Sequence, residues 1–199
     1  MVVAPAALFA SPDRYLHSFD GDDALFVAMD RAAYARSIFL DGRISPAREG
    51  TERVAVEALL ASVPDPAPMA WIFHVAHCGS TLLARAIEAL GPNLVLREPL
   101  ALRQLALAPD PARLALTLAM LSRRYDRAAP TLVKANVPVN FMLAEIAAFD
   151  PSAPAILLHC GLRDYLLAIL RSDHHRGWVR GVTTQLAAHL GDVESLSDA

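Results

Sequence analysis

Residues 71–100, WIFHVAHCGSTLLARAIEALGPNLVLREPL, decide the fold. An apolar run, Trp71–Val75, stops at a polar knot, His77-Cys78-Gly79-Ser80-Thr81, and an amphipathic helix pattern follows at once up to Gly91. A second apolar run, NLVLREP, ends at Pro99. Short continuous apolar runs are the mark of strands buried on both faces, so a strand, a tight turn and a helix are expected here. The turn suits a nucleotide phosphate, a thiolate nucleophile, or no ligand at all.

Downstream the same alternation continues. DPARLALTLAMLSRRYD predicts a helix with Asp110 as its cap and Pro111 in its first position. PTLVKAN is a third strand, VNFMLAEIAAF a third helix, APAILLHCG a fourth strand and LRDYLLAILRS a fourth helix. Strand alternating with helix predicts an α/β fold with a mainly parallel sheet and helices on both faces, a three-layer arrangement. Ligands of such sheets bind at the carboxyl ends of the strands. Polar groups gather there: His77–Thr81, Arg97 and Glu98, Lys134 and Asn136, then Arg163 and Asp164.

Upstream, Pro64–Pro68 (PDPAP) reads as a linker, which divides the chain into a small N-terminal α/β extension, 1–68, and a domain, 69–199. Within the extension, Ala24–Asp30 reads as a strand and the RAAYARS stretch as a short helix. Asp41-Gly42 between apolar flanks signals a hairpin turn, and residues 46–63 read as a helix opened by Pro46.

Composition narrows the function. The 199 residues carry a net charge of −3, which speaks against a general nucleic-acid binder. No apolar stretch is long enough for a membrane span, and the N-terminus lacks the basic leader of a signal peptide. Two cysteines, Cys78 and Cys160, each close an apolar run, so a reducing cytoplasm is expected rather than a disulfide framework. The first 68 residues hold six Arg against ten acids, whereas the remainder holds twelve basic and eleven acidic residues and six of the seven histidines. Seventeen arginines stand beside a single lysine, Lys134, a place where a compact point charge suits better than a planar fork. A small-molecule or nucleotide ligand is the expected partner.

The knot can be compared with known loops. Cysteine-dependent phosphatases need an Arg after a five-residue loop, but HCGSTLLAR has Ala84 there and Arg85 one residue on, about 100° around the helix. The nucleoside triphosphatase loop, G-x-x-x-x-G-K-S/T, aligns with His74 at the first Gly, Gly79 at the second, Ser80 in place of Lys, and Thr81. Without that lysine ordinary ATP hydrolysis is disfavoured, while the N–H groups at the helix start still make an anion hole.

HCGST resembles the loop with which P-loop sulfotransferases hold the 5′-phosphosulfate of 3′-phosphoadenosine 5′-phosphosulfate (PAPS), with His77 at the basic position. Glu98 in LREPL lies at about the distance from the loop of the catalytic glutamate of protein-tyrosine sulfotransferases. KANVP is similar to the Lys-x-His-x-Pro pattern of cytosolic members, with Lys134 and Pro138 in step and Asn136 where the histidine stands. The resemblance spans roughly residues 69–172 and implies a P-loop NTPase-like fold and sulfuryl transfer from PAPS to a hydroxyl or amine, with no metal. It implies catalytic roles for Glu98 (base), Lys134 and His77, and donor binding by His77, Cys78, Gly79, Ser80 and Thr81. Arg163 and Ser172 are the nearest candidates for the 3′-phosphate, although strict alignment puts Cys160 and Ala168 at those positions. A nucleotide-binding protein without transferase activity and a small-molecule kinase are the alternatives. For Glu98 the competing reading is a salt bridge to Arg97 or Arg103. His174-His175 read as a solvated pair, because adjacent residues do not share a helix face.

Overall fold

The computed structural model describes residues 5–190. Four strands form a parallel sheet: β4 (Met69–His74), β5 (Val95–Arg97), β6 (Thr131–Lys134) and β7 (Ala155–Leu158), in the spatial order β5-β6-β4-β7. Three upstream strands, β1 (Arg14–Asp20), β2 (Asp23–Ala28) and β3 (Thr51–Ala55), form a separate antiparallel sheet. Three short helices accompany it: α1 (Pro5–Leu8), α2 (Arg31–Arg36) and α3 (Val56–Leu60). No described helix is long and apolar enough to cross a membrane.

Both faces of the parallel sheet are covered over β4, β5 and β6, whereas the edge strand β7 is largely exposed despite its apolar run, with Leu157 66% exposed. Ile72, Val95 and Leu132 point to one face, where Ala84, Leu83 and Ile87 of α4 (Ser80–Leu90) cover them. Trp71, Phe73, Leu96 and Val133 point to the other, into a core shared with α5 (Leu100–Leu107), α6 (Pro111–Leu121) and α7 (Leu143–Phe149). Trp71 and Phe73 lie on the same side of β4, two residues apart, and their rings stack with centroids 5.6 Å apart. Tyr15, Leu16, Phe26, Tyr34 and Leu59 belong to the same core, so the N-terminal segment and the parallel sheet share one apolar interior. The fold is α/β, with helices on both faces of a parallel sheet.

The order of the strands creates the crevice. From β4 the chain crosses through α4 on one face to β5; from β6 it leaves through a 3-10 segment (Val137–Met142) and α7 on the other face to reach β7. The adjacent strands β4 and β6 thus send their connections to opposite sides, and the gap between their carboxyl ends is open to a ligand. Two further helices, α8 (Leu162–Ile169) and α9 (Asp173–Gln185), and a final short α10 (Ala187–Leu190), follow β7.

Several expectations need correction. Asp41-Gly42 forms no hairpin: residues 37–50 are irregular, and the Asp41 carboxylate accepts from the Arg43 backbone N–H at 3.0 Å, which closes the turn locally. The segment after Pro46 is helical only over Val56–Leu60; Thr51–Ala55 before it is a strand that pairs with β2, where Arg53 forms ion pairs with Asp20 and Asp23. β1 escaped notice because a bulge between Leu16 and Ser18 breaks its alternation. α5 follows Pro99, which was read only as the end of a strand. Asp110 caps α6 as expected, accepting from the Arg113 N–H at 3.0 Å.

Arg97 ties the parallel sheet to α2 and the loop that follows it. It is 1% exposed and donates to the carbonyls of Tyr34 (2.7 Å), Ser37 (2.5 Å) and Ile38 (3.2 Å), and to Glu88 at 2.9 Å. The buried charge is thereby both paired and saturated with acceptors.

Candidate functional site

β4 ends at His74, and Val75 still donates to Leu158 on β7 at 3.2 Å; beyond it the backbone turns into the loop before α4. Two residues of that loop hold positive φ, His77 (60°) and Gly79 (85°). A β-carbon added to Gly79 would meet no atom within 4 Å, so it would project into open space in a conformation that only glycine adopts without strain. The N–H groups of Gly79, Ser80, Thr81 and Leu82 have no hydrogen-bond acceptor among the described residues, and the first such bond of α4 runs from Leu83 to Gly79. Four free donors at the start of an 11-residue helix, with its dipole behind them, attract an anion.

Cys78 is not part of that cradle except through its backbone. Its thiol donates to the Val75 carbonyl at 2.7 Å and lies 3.6 Å from the Leu158 carbonyl, which ties the loop back to the sheet.

A cavity of about 430 Å³ opens in front of the loop, lined by His77, Gly79, Ser80 and Thr81. Glu98 at the end of β5 and Lys134 at the end of β6 enter the same cavity. The Lys134 ammonium, 1% exposed, is ion-paired with the Glu98 carboxylate, 19% exposed. Burial pulls the Lys134 pKa down from its ordinary value, and Glu98 opposes that shift. Glu98 holds a φ of +57°, which a non-glycine residue adopts only at a cost of about 1–3 kcal/mol. Its backbone N–H donates to the Lys134 carbonyl at 2.7 Å, so the same residue closes the ladder and turns its carboxylate inward. The partner of Glu98 is therefore Lys134, neither Arg97 nor Arg103. Arg97, one residue earlier on the strand, points to the opposite side, to Glu88.

Behind this pair stands His74, whose Nε2 lies 2.8 Å from the Ala135 carbonyl and 3.9 Å from Glu98. Burial, then the Lys134 ammonium, hold its pKa below the ordinary histidine value. Asn136 is 3% exposed; its amide lies 3.4 Å from the Glu98 carbonyl, and its Oδ1 is buried without a partner.

The outer walls come from elements whose role the sequence did not disclose. Phe39 and Arg43 reach in from the N-terminal segment, Arg103 from α5, and His174, His175, Trp178 and Val182 from α9. Leu40 donates to Arg97 at 2.7 Å and accepts from Leu100 at 3.1 Å, which holds Phe39 beside the end of β5. The His77 ring packs edge-on against His175 (4.6 Å) and Trp178 (5.4 Å), so α9 closes over the loop. Burial and the neighbouring His175 lower the His77 pKa. His175 is thus packed on His77 rather than simply solvated, and α9 covers the cavity from above. Among the described residues no group of three or more His, Cys, Asp or Glu side chains is placed to hold a metal ion.

The remaining candidates do not join the cavity. Arg163 is exposed on α8. Ser172 caps α9, its hydroxyl accepting from the His175 N–H at 3.4 Å.

The chain was compared with family models, with curated proteins and with solved structures. None of the three matched.

Proposed function

We propose that the loop 76–82 holds the anionic end of a nucleotide and that the cavity carries out sulfuryl transfer from PAPS to a hydroxyl or amine. One observation carries the reading: Gly79–Thr81, whose N–H groups are unpaired among the described residues, line a cavity into which Lys134 and Glu98 converge from the ends of β6 and β5. The strand order, with the loop strand β4 beside β6, supports a P-loop-type domain, as do the glycine at positive φ and the helix that starts directly after it.

In this reading the backbone donors of Gly79–Thr81 and the Ser80 and Thr81 hydroxyls bind the 5′-phosphosulfate. The Glu98 carboxylate accepts the proton of the acceptor as its oxygen or nitrogen bonds to sulfur. The bond from sulfur to the bridging oxygen breaks, and Lys134 neutralises charge on the departing phosphate. Asn136, unable to take a proton, serves as a positioning group. His77, whose pKa is lowered, contributes little positive charge at neutral pH; its ring orders α9 over the loop.

The residues present fit the phosphosulfate end of the donor better than its 3′ end. Arg163 and Ser172 stand away from the cavity, and that observation favours a second reading, a nucleotide-binding protein without transfer. Incubation with sulfur-labelled PAPS and a mixed panel of phenols, alcohols and amines separates the two. Label transferred to an acceptor supports the enzyme; nucleotide binding without any transfer selects the second reading.

A further inference from the structure

The charges that line the cavity cancel in pairs with one exception. Lys134 is matched by Glu98. Arg43 is matched by Asp41, with its Nε 3.0 Å from Oδ1 and its Nη2 2.5 Å from Oδ2. Arg103 lines the cavity, is half-buried, and makes no ion pair among the described residues; its charge reaches the Asp41 carboxylate, which Arg43 already neutralises, so one positive charge is left over. Its Nη2 donates to the Gln185 side chain of α9 at 2.7 Å, which fixes the guanidinium without neutralising it.

Position gives that charge a meaning. Across the top of the sheet the order is the loop after β4, Lys134 at the end of β6, and Glu98 after β5, while Arg103 comes from α5, which packs on the 3-10 segment after β6. Neighbouring strands lie about 4.8 Å apart, so the loop and the end of β5 are separated by roughly 10 Å. Glu98 leans back over this interval toward Lys134. Arg103 lines the same cavity as Glu98 and the loop, so a ligand anchored at its guanidinium shares that space with both. Phe39, Trp178 and Val182 supply apolar wall for the body between.

We propose that Arg103 is the anion-reading end of a second-substrate subsite, and that this substrate is a compact hydroxy- or amino-carboxylic acid with an apolar body. One uncompensated guanidinium suits one monoanion, and its planar fork suits a carboxylate. That this ligand is the acceptor rests on the proposed transfer reaction; its recognition through the carboxylate does not.

The test uses 4-hydroxyphenylacetate and its methyl ester, which share a body and differ in charge. Their binding to the full chain is measured by ligand-observed NMR with saturating adenosine 3′,5′-bisphosphate and without it. The wild type is expected to bind the acid at least tenfold more tightly than the ester. Arg103→Gln should abolish that preference, and Arg103→Lys should retain part of it. Equal binding of acid and ester by the wild type overturns the proposal. So does a loss in Arg103→Gln of bisphosphate affinity that adenosine 5′-monophosphate does not share, because Arg103 would then read the 3′-phosphate of the donor. If the bisphosphate fails to bind while the acid preference and its loss persist, the transfer reaction fails and the carboxylate subsite stands.

Discussion

Glu98→Gln removes the only carboxylate paired, among the described residues, with a lysine that is 1% exposed. The amide keeps the shape and one acceptor oxygen, but leaves the ammonium without a counter-charge. Breaking a fully buried pair costs about 3–5 kcal/mol. Because Glu98 itself is 19% exposed, water reaches its side of the pair, and a cost of about 2–3 kcal/mol is expected for this variant. For a chain of this length, that corresponds to a fall of about 4–12 °C in Tm. Lys134→Met removes the buried charge and leaves only the partly exposed carboxylate, so it should cost less. The double variant should be more stable than the sum of the two changes implies, the signature of direct coupling. Adenosine 3′,5′-bisphosphate should raise Tm more in Glu98→Gln than in the wild type, because the ligand supplies the missing negative charge. Turnover, once an acceptor is known, should fall roughly 10²–10⁴-fold. Calorimetric melting of the four proteins, with and without the bisphosphate, measures all but the last. A Glu98→Gln melting point within about 1 °C of wild type, with strictly additive single changes, would refute the argument.

Further predictions follow from other parts of the site. Trp178→Ala takes away the ring that packs on His77, so nucleotide release, followed by stopped-flow fluorescence of a labelled bisphosphate, should be faster while global stability changes little. Arg97→Met leaves the carbonyls of Tyr34 and Ser37 and the Glu88 carboxylate without their donor, and should cost about 3–5 kcal/mol in urea denaturation. His74 and His77 both titrate below the ordinary value of 6.5, so the unfolded chain binds protons first as pH falls. Their contribution to stability is complete above about pH 6.5 and is lost as pH drops toward their folded pKa values. Tm measured from pH 7.5 to 5 should fall accordingly, and less steeply in His77→Phe.

The sequence was most legible where a local pattern and a tertiary role coincide. β4 and α4 were readable because an apolar run buried on both faces stops abruptly and a 3.6-residue period begins. Parallel strands place their carboxyl ends on one edge, which brings the polar ends of β4, β5 and β6 together at the loop, Glu98, Lys134 and Asn136, but not Arg97, which turns to Glu88, nor Arg163 and Asp164 after β7. β1 was hidden by a bulge that spoils its alternation, and β3 by a helix-like composition that cross-strand ion pairs with Asp20 and Asp23 override. The Lys134–Glu98 pair joins residues 36 positions apart, and the positive φ of Glu98 that aims it has no signal in composition. Phe39, Arg103 and Trp178 were missed because each enters the cavity through a chain reversal, not a motif. Arg163 and Ser172 show the converse: the motif order points to two residues that do not line the cavity, Arg163 exposed on α8 and Ser172 spent on capping α9.

The claim that everything else depends on is that the loop binds an anion through the free N–H groups of Gly79–Thr81. Gly79→Val is the sharpest perturbation, because its side chain would enter open space at a φ of +85° and occupy the cradle itself. The strain should cost about 1–3 kcal/mol, small enough to leave a folded protein. Isothermal titration of adenosine 3′,5′-bisphosphate into both proteins, with circular dichroism to verify the fold, makes the comparison. Saturable binding to the wild type and none to a folded Gly79→Val variant is the predicted result; no binding to the wild type, or equal affinity in the two, would contradict it.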